Sequence, residues 1–247
     1  METRLFFKRK IKGLYLKFKL HRIFSPLDGI LMNLVYLARF SKWKEEHSSV
    51  PFSDFYNIKF NSQLRPVIYK FLFDYEKLDS KINYLEFGVA SGRSFKWWIN
   101  ANQNPESRFI GFDTFTGLPE NWDVFKAGDM TQDGQIPIVD DFRAEFHKGL
   151  FQQTLPKFLK SYHSDEKLVI HLDADLYSST MFVMTSLFPI LKKDDILIFD
   201  EFGVPTHEFK AFDDFVKSYY LDYDVIYAGN NYFQLAVKIK GFKMPVL

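Results

Sequence analysis

The chain predicts an α/β protein: a doubly wound, mostly parallel seven-stranded sheet ending in an antiparallel hairpin and preceded by a helical extension. Three observations carry this expectation. From Lys81 onward, short apolar runs of strand length alternate with stretches of helical periodicity, the pattern of parallel strands joined by crossover helices on both faces. The last two strand-like runs are separated only by Ala228-Gly229-Asn230-Asn231, too short for a helix and rich in hairpin-turn residues. The first sixty residues lack the alternation and show apolar residues at helical spacing among many Lys and Arg.

Residues 1–60 are assigned to the extension and residues 61–247 to the main domain. Phe7, Ile11, Leu14 and Phe18 recur at helical spacing, surrounded by Lys8, Arg9, Lys10, Lys12, Lys17 and Lys19. Such a helix either makes peripheral contact with a membrane or partner, or packs on its own domain or a neighbouring subunit of a homo-oligomer; packing is the commoner fate of amphipathic surface helices. Ser25-Pro26-Leu27-Asp28 reads as a helix start, with a capping Ser, a Pro suited to the first turn and an acid three residues on, and the helix runs to about Phe40. Residues 47–60 read as a loop, and a helix covers Arg65–Leu78. The predicted strands are Asn83–Phe87, Phe109–Asp113, Ala144–His147, Leu168–Leu172, Ile196–Phe199, Asp224–Tyr227 and Phe233–Val237. The later helices lie near Ser94–Ala101, Phe151–Lys160, Ser179–Leu191 and Thr206–Tyr220. The long segment Thr114–Asp141 is a loop of the kind that is usually functional or mobile.

Composition narrows the function. The apolar content of 47% supports a sizeable core, and a net charge of +1 argues against a dedicated nucleic-acid binder. The sequence has no Cys, which removes disulfides, thiolate metal sites and a Cys nucleophile, and fits a reducing cytoplasm. Any metal must be held by oxygen or His, which favours a hard ion such as Mg²⁺. No apolar stretch reaches membrane-spanning length by eye, and the basic N-terminus lacks the clean apolar run of a signal peptide.

Four constellations carry chemistry. Glu86-Phe87-Gly88-Val89-Ala90-Ser91-Gly92 follows a strand and opens a helix, where doubly wound sheets bind ligands. Its spacing departs from the Gly-x-Gly-x-x-Gly dinucleotide pattern. Glu86 at the strand end would repel a pyrophosphate and balance the cationic methionine part of S-adenosylmethionine. Asp113 ends the next strand, where a carboxylate can accept hydrogen bonds from both ribose hydroxyls of a nucleoside. Asp173 and Asp175 follow Leu168–Leu172, and Asp200 and Glu201 follow Ile196–Phe199. Helix capping explains one acid in each pair but not two. Four crowded carboxylates repel one another unless a divalent cation sits among them. His147 and His171 also lie on predicted strands; His171 shares a face with Asp173 and is a base or, more simply, a core histidine.

These motifs, with Gly111-Phe112-Asp113-Thr114-Phe115-Thr116-Gly117-Leu118-Pro119-Glu120, Gly149-Leu150-Phe151-Gln152-Gln153-Thr154-Leu155-Pro156 and His171-Leu172-Asp173-Ala174-Asp175-Leu176-Tyr177-Ser178-Ser179-Thr180, resemble the macrocin O-methyltransferase family of class I methyltransferases. The resemblance covers roughly residues 60–240 and implies a Rossmann-like fold. It implies S-adenosylmethionine as cofactor, with Glu86, Gly88 and Ser91 lining the methionine part and Asp113 holding the ribose. It implies Asp173, Asp200 and Glu201 as Mg²⁺ ligands and Asp175 as general base. The family carries Asp-Asp where this chain has Asp200-Glu201, which bears on metal identity and affinity. The expected acceptor is a hydroxyl on a small, sugar-containing molecule, and a vicinal diol suits chelation. A catechol-type enzyme shares the metal logic, and a membrane-tethered binding module would leave the carboxylates without a role. A base N-methyltransferase would show Asn/Asp-Pro-Pro-aromatic where this chain has Asp173-Ala174-Asp175-Leu176.

Overall fold

The computed structural model describes residues 2–57, 59–121 and 124–243. The chain forms two compact units, Met1–Glu45 and Glu46–Leu247. In the first, α1 (Glu2–Lys17) is followed by the short α2 (His21–Phe24), a 3-10 turn at Ser25–Leu27 and α3 (Asp28–Glu46), whose last residue opens the second unit. Pro26 sits at the start of the 3-10 turn, where a missing N–H is harmless, and the regular helix begins at Asp28. The helical segment His21–Glu46 spans 26 residues; its most apolar 18-residue window has a mean hydropathy of 1.2 and is 6% buried. By length and composition this segment is apolar enough to cross a membrane, which corrects the expectation above. No uninterrupted apolar run marks the segment, because isolated polar residues such as Asn33 break the run while the helix stays predominantly apolar.

The second unit contains strands β1 (Phe52–Ser53), β2 (Ile82–Phe87), β3 (Arg108–Asp113), β4 (Ala144–Lys148), β5 (Lys167–Leu172), β6 (Ile196–Phe199), β7 (Leu221–Gly229) and β8 (Gln234–Phe242). Its helices are α4 (Leu64–Tyr75), α5 (Arg93–Ala101), α6 (Phe151–Ser161), α7 (Tyr177–Leu187) and α8 (Glu208–Tyr219). The strands form one sheet in the order β1-β7-β8-β6-β5-β2-β3-β4. β8 runs antiparallel to both β6 and β7, and every other pairing is parallel. All seven expected strands are present. The eighth, β1, lies in the segment read as a loop and pairs Phe52 with Tyr227 and Ser53 with Ala228. Two residues carry no readable periodicity, and only the edge of β7 gives them a place. The hairpin turn falls at Asn230, Asn231 and Tyr232, all with left-handed backbone, two residues later than the sequence suggested.

Central β2 and β6 are buried along their whole length, and β5 from its second residue, which is why each reads as an apolar run rather than an alternation. The chain moves from β2 outward through β3 to β4, then returns to β5 and β6 on the other side of β2. Strand order therefore reverses between β2 and β5, and the crevice beyond their carboxyl ends is where doubly wound sheets bind ligands.

The core behind that crevice is aromatic. Trp98 of α5 is fully buried, stacked on Tyr84 at 5.4 Å between ring centroids and tilted against Tyr69 at 5.6 Å. Its indole N–H has no hydrogen-bond partner among the described residues. Area and fit, not polarity, therefore hold it in place. Trp98→Ala is expected to lower stability by ~3–5 kcal/mol and Trp98→Phe by much less. Urea melts of both variants test this, and equal losses would show that the indole nitrogen matters after all.

Candidate active site

A cavity of about 320 Å³ opens at the carboxyl ends of β2, β3, β5 and β6. Its walls include Gly88 and Ala90 after β2, Asp113 and Thr114 after β3, Asp173 to Asp175 after β5 and Glu201 after β6. Arg65 of α4 is its single basic lining residue, and Leu118, Met130, Leu150 and Phe151 supply an apolar side.

Gly88 is required by geometry. Its φ is +98°, and a Cβ there would lie 1.7 Å from the carbonyl oxygen of Asp173. The turns after β2 and β5 are thus pressed together, and the Asp173 N–H donates to the carbonyl of Phe87 at 2.9 Å. Asp113 clasps two loops: one carboxylate oxygen accepts the Ala90 N–H and the other the Phe115 N–H, each at 2.6 Å. The Gly loop and the start of the long loop are therefore fixed by one side chain that also faces the cavity.

Glu86 and Ser91 are placed differently from Gly88 and Asp113. Neither lines the cavity. Ser91 is exposed, and Glu86 is fully buried on the same face of β2 as Tyr84. The two Glu86 oxygens accept hydrogen bonds from the Tyr84 hydroxyl (2.5 Å) and the Ser94 hydroxyl (2.6 Å). The Tyr84 oxygen also lies 2.8 Å from His171 Nδ1, and Tyr69 OH lies 3.5 Å from His171 Nε2. With Tyr84 donating to Glu86, Nδ1 carries the imidazole proton and Nε2 accepts. Burial lowers the His171 pKa to about 3, helped by Arg65, and raises that of Glu86 to about 8 against the pull of Ser94 and Tyr84. His171 is neutral near pH 7, so its 3.9 Å approach to Glu86 is no ion pair. His171 is a core histidine, and His147 stacks on Phe112 at 4.8 Å outside the cavity lining.

The carboxylates divide. Asp173, Asp175 and Glu201 each present an oxygen within 4.8 Å of the others. Burial raises the pKa of all three, and charge repulsion adds to it: Asp175, beside Asp173, reaches about 7, and Glu201, beside Asp173 and Asp175, lies well above its ordinary value. Oxygen donors in this number, with a buried Glu201 oxygen left without a partner, fit a hard divalent cation. Asp200, expected as a ligand, is not among the three that converge. One of its oxygens accepts from Gln234 Nε2 at 2.9 Å and the other is ion-paired with Arg65, whose guanidinium also comes within 3.9 Å of Glu201. Asp175, expected as a base alone, takes the third corner.

Three residues of this site escaped the sequence. Arg65 and Gln234 hold Asp200 from positions far away in the chain. Glu208, fully buried at the start of α8, accepts the Glu201 N–H at 3.0 Å and is itself pushed well above its ordinary pKa by burial and by Asp173 and Asp175. Read along the chain, Glu208 was simply an acid in a first helical turn.

A doubly wound, mostly parallel sheet with an antiparallel strand, here β8, inserted between β6 and β7 and a crevice at its switch point is an architecture seen in class I methyltransferases. Residues 85–202 match the family model described as a methyltransferase domain. No curated protein matches the chain. Among solved structures, CalS11, described as a calicheamicin methyltransferase, aligns over 73% of this chain and 80% of its own at 21% identity and a TM-score of 0.58. Its apo structure, described as a TDP-rhamnose 3'-O-methyltransferase, aligns with a TM-score of 0.53, at 21% identity over 73% of this chain and 81% of its own. The O-methyltransferase NovP aligns over 71% and 79% at 18% identity and a TM-score of 0.54. The chain shares the Rossmann-like fold of these enzymes, and its residues 85–202 are similar to a methyltransferase domain.

The acid cluster makes the empty fold sensitive to pH. Each raised carboxyl binds its proton more tightly folded than unfolded, so stability declines as pH rises from about 4, where unfolded carboxyls ionise, through the Asp175 and Glu86 values of about 7 and about 8. The protein is expected to melt lower at pH 8 than at pH 5.5. Calorimetry checks this, and a melting temperature flat across this range contradicts the account.

Proposed function

We propose that this protein transfers the methyl group of S-adenosylmethionine to a hydroxyl of a small, sugar-containing or natural-product acceptor with the help of a bound divalent cation. The observation that carries the reading is the convergence of Asp173, Asp175 and Glu201 on the cavity that Gly88 and Asp113 also line. The family resemblance and the descriptions of CalS11 and NovP support an oxygen acceptor, and that of CalS11 as a TDP-rhamnose 3'-O-methyltransferase supports a sugar.

Methyl transfer is an in-line displacement. The acceptor oxygen forms its bond to the methyl carbon as the sulfonium bond breaks, and the sulfur departs as a neutral thioether. Holding the reactants in line supplies much of the acceleration. Gly88 brings backbone close to the methionine end, and Asp113 offers its remaining lone pairs to the two ribose hydroxyls. Asp173, Asp175 and Glu201 would hold Mg²⁺ or a similar ion, which would supply Lewis acidity toward an acceptor hydroxyl. Asp175 has a second oxygen with which to take the hydroxyl proton. Arg65 and Gln234 neutralise and fix Asp200, which steadies the turn that carries Glu201. Glu208 grips the same turn from behind. Leu118, Met130, Leu150 and Phe151 keep bulk water from the sulfonium. Their apolar wall also suits a flat aromatic diol, and a catechol-type acceptor is the second reading.

Isothermal titration is expected to show S-adenosylmethionine binding that Asp113→Ala weakens at least tenfold. Absence of binding by the folded wild type would overturn the reading. Asp173→Asn and Asp175→Asn are expected to lower kcat by ~100-fold or more with cofactor affinity nearly unchanged, in line with the usual weight of a positioned acid–base group. Full activity of both variants in the presence of chelator would sink the cation-assisted mechanism. Parallel assays with a deoxysugar nucleotide and a catechol separate the two acceptor classes.

A further inference from the structure

The slight positive charge of the whole chain conceals a division. Residues 1–22 carry eight Lys or Arg against one acid, while the remaining residues carry 24 against 30. No acid lies between Arg4 and Arg22. The same part of the chain is apolar on its surface. More than half of the exposed large apolar side chains among the described residues lie between Leu5 and Leu37, including Phe6 at 67% exposure, Ile23 at 65% and Ile30 at 62%. The segment His21–Glu46, continuous with this basic stretch, is the one of membrane-spanning length and hydropathy, and almost none of its window is buried.

We propose that residues 4–40 dock on an anionic lipid membrane, the Lys and Arg of α1 meeting lipid headgroups and the apolar side chains of α1 and α3 entering the acyl boundary. Charge and apolarity together select this partner. A nucleic acid would satisfy the cations but gains nothing from exposed Ile, Leu and Phe. A second copy of the chain would cover the apolar surface but bring two sets of eight cations together in a symmetric contact. A lipid surface satisfies both at once, because Lys and Arg extend their charged ends to the headgroups while their stems and the neighbouring apolar residues sink below. The interleaving of charges in α1 keeps that helix at the interface, and the longer apolar run from Ile23 to Phe40 goes deeper, interrupted by Asp28 and Arg39.

The test is flotation of the full chain with vesicles of phosphatidylcholine alone and of equal parts phosphatidylcholine and phosphatidylglycerol. The wild type is expected to float with the anionic vesicles at least tenfold more than with the neutral ones. The full-length variant Lys8→Glu/Arg9→Glu/Lys10→Glu/Lys12→Glu is expected to lose that preference while melting at the wild-type temperature, and Ile30→Ser/Leu34→Ser to float less with both compositions. Wild-type protein that is folded by its melting transition yet stays unbound overturns the proposal, as does a discrete oligomer that ignores vesicles, or a charge-reversed variant that floats as well as the wild type. None of these outcomes depends on S-adenosylmethionine binding, so the inference stands or falls apart from the catalytic reading.

Discussion

Like-charge crowding beyond β5 and β6 is the constraint around which the rest of the second unit is arranged. Three carboxylates converge, a fourth is tied off by Arg65 and Gln234, and a fifth, Glu208, is buried behind them. Such a group opposes folding on its own, since each buried charge raises the proton affinity of the next. The surrounding structure answers with rigidity: a fully buried sheet centre, two turns in backbone contact at Gly88 and Asp173, and a tightly packed aromatic layer. It also answers with neutrality, because the groups nearest the cluster on the core side, His171 and the tyrosines, are uncharged near pH 7.

That core side contains a polar relay. Tyr69, His171, Tyr84, Glu86 and Ser94 connect two strands and two helices through hydrogen bonds inside the Phe- and Trp-rich layer. Every member but Tyr69 gains a contact at 2.8 Å or less, the condition under which a buried polar network specifies a single packing rather than loosening it. Through this relay Glu86 fixes the end of β2 beside the cavity.

Much of this architecture was legible in the sequence because its signals are local. The apolar runs of β2, β5 and β6 announce buried strands, and the acids that follow them announce the edge where chemistry sits. Gly88 and Asp113 were readable for the same reason: each is the next residue after a strand or its last. What could not be read depends on pairing across the chain. β1 exists only because β7 offers it an edge. The sorting of Asp200 away from Asp173, Asp175 and Glu201 depends on Arg65 and Gln234, which are separated from it by 135 and 34 residues. Direction of side chains was equally hidden, since alternation along β2 placed Glu86 on the core face with Tyr84.

The double grip of Asp113 has an evolutionary reading. One carboxylate fixes the Gly loop and the mouth of the long loop, and the latter returns to the sheet only at β4. Between those two points the chain can lengthen, shorten or change composition without moving the nucleoside end of the crevice. On the function proposed above, variation on the acceptor side would be insulated from the methyl donor side, and one scaffold could be retargeted by altering a single stretch of loop.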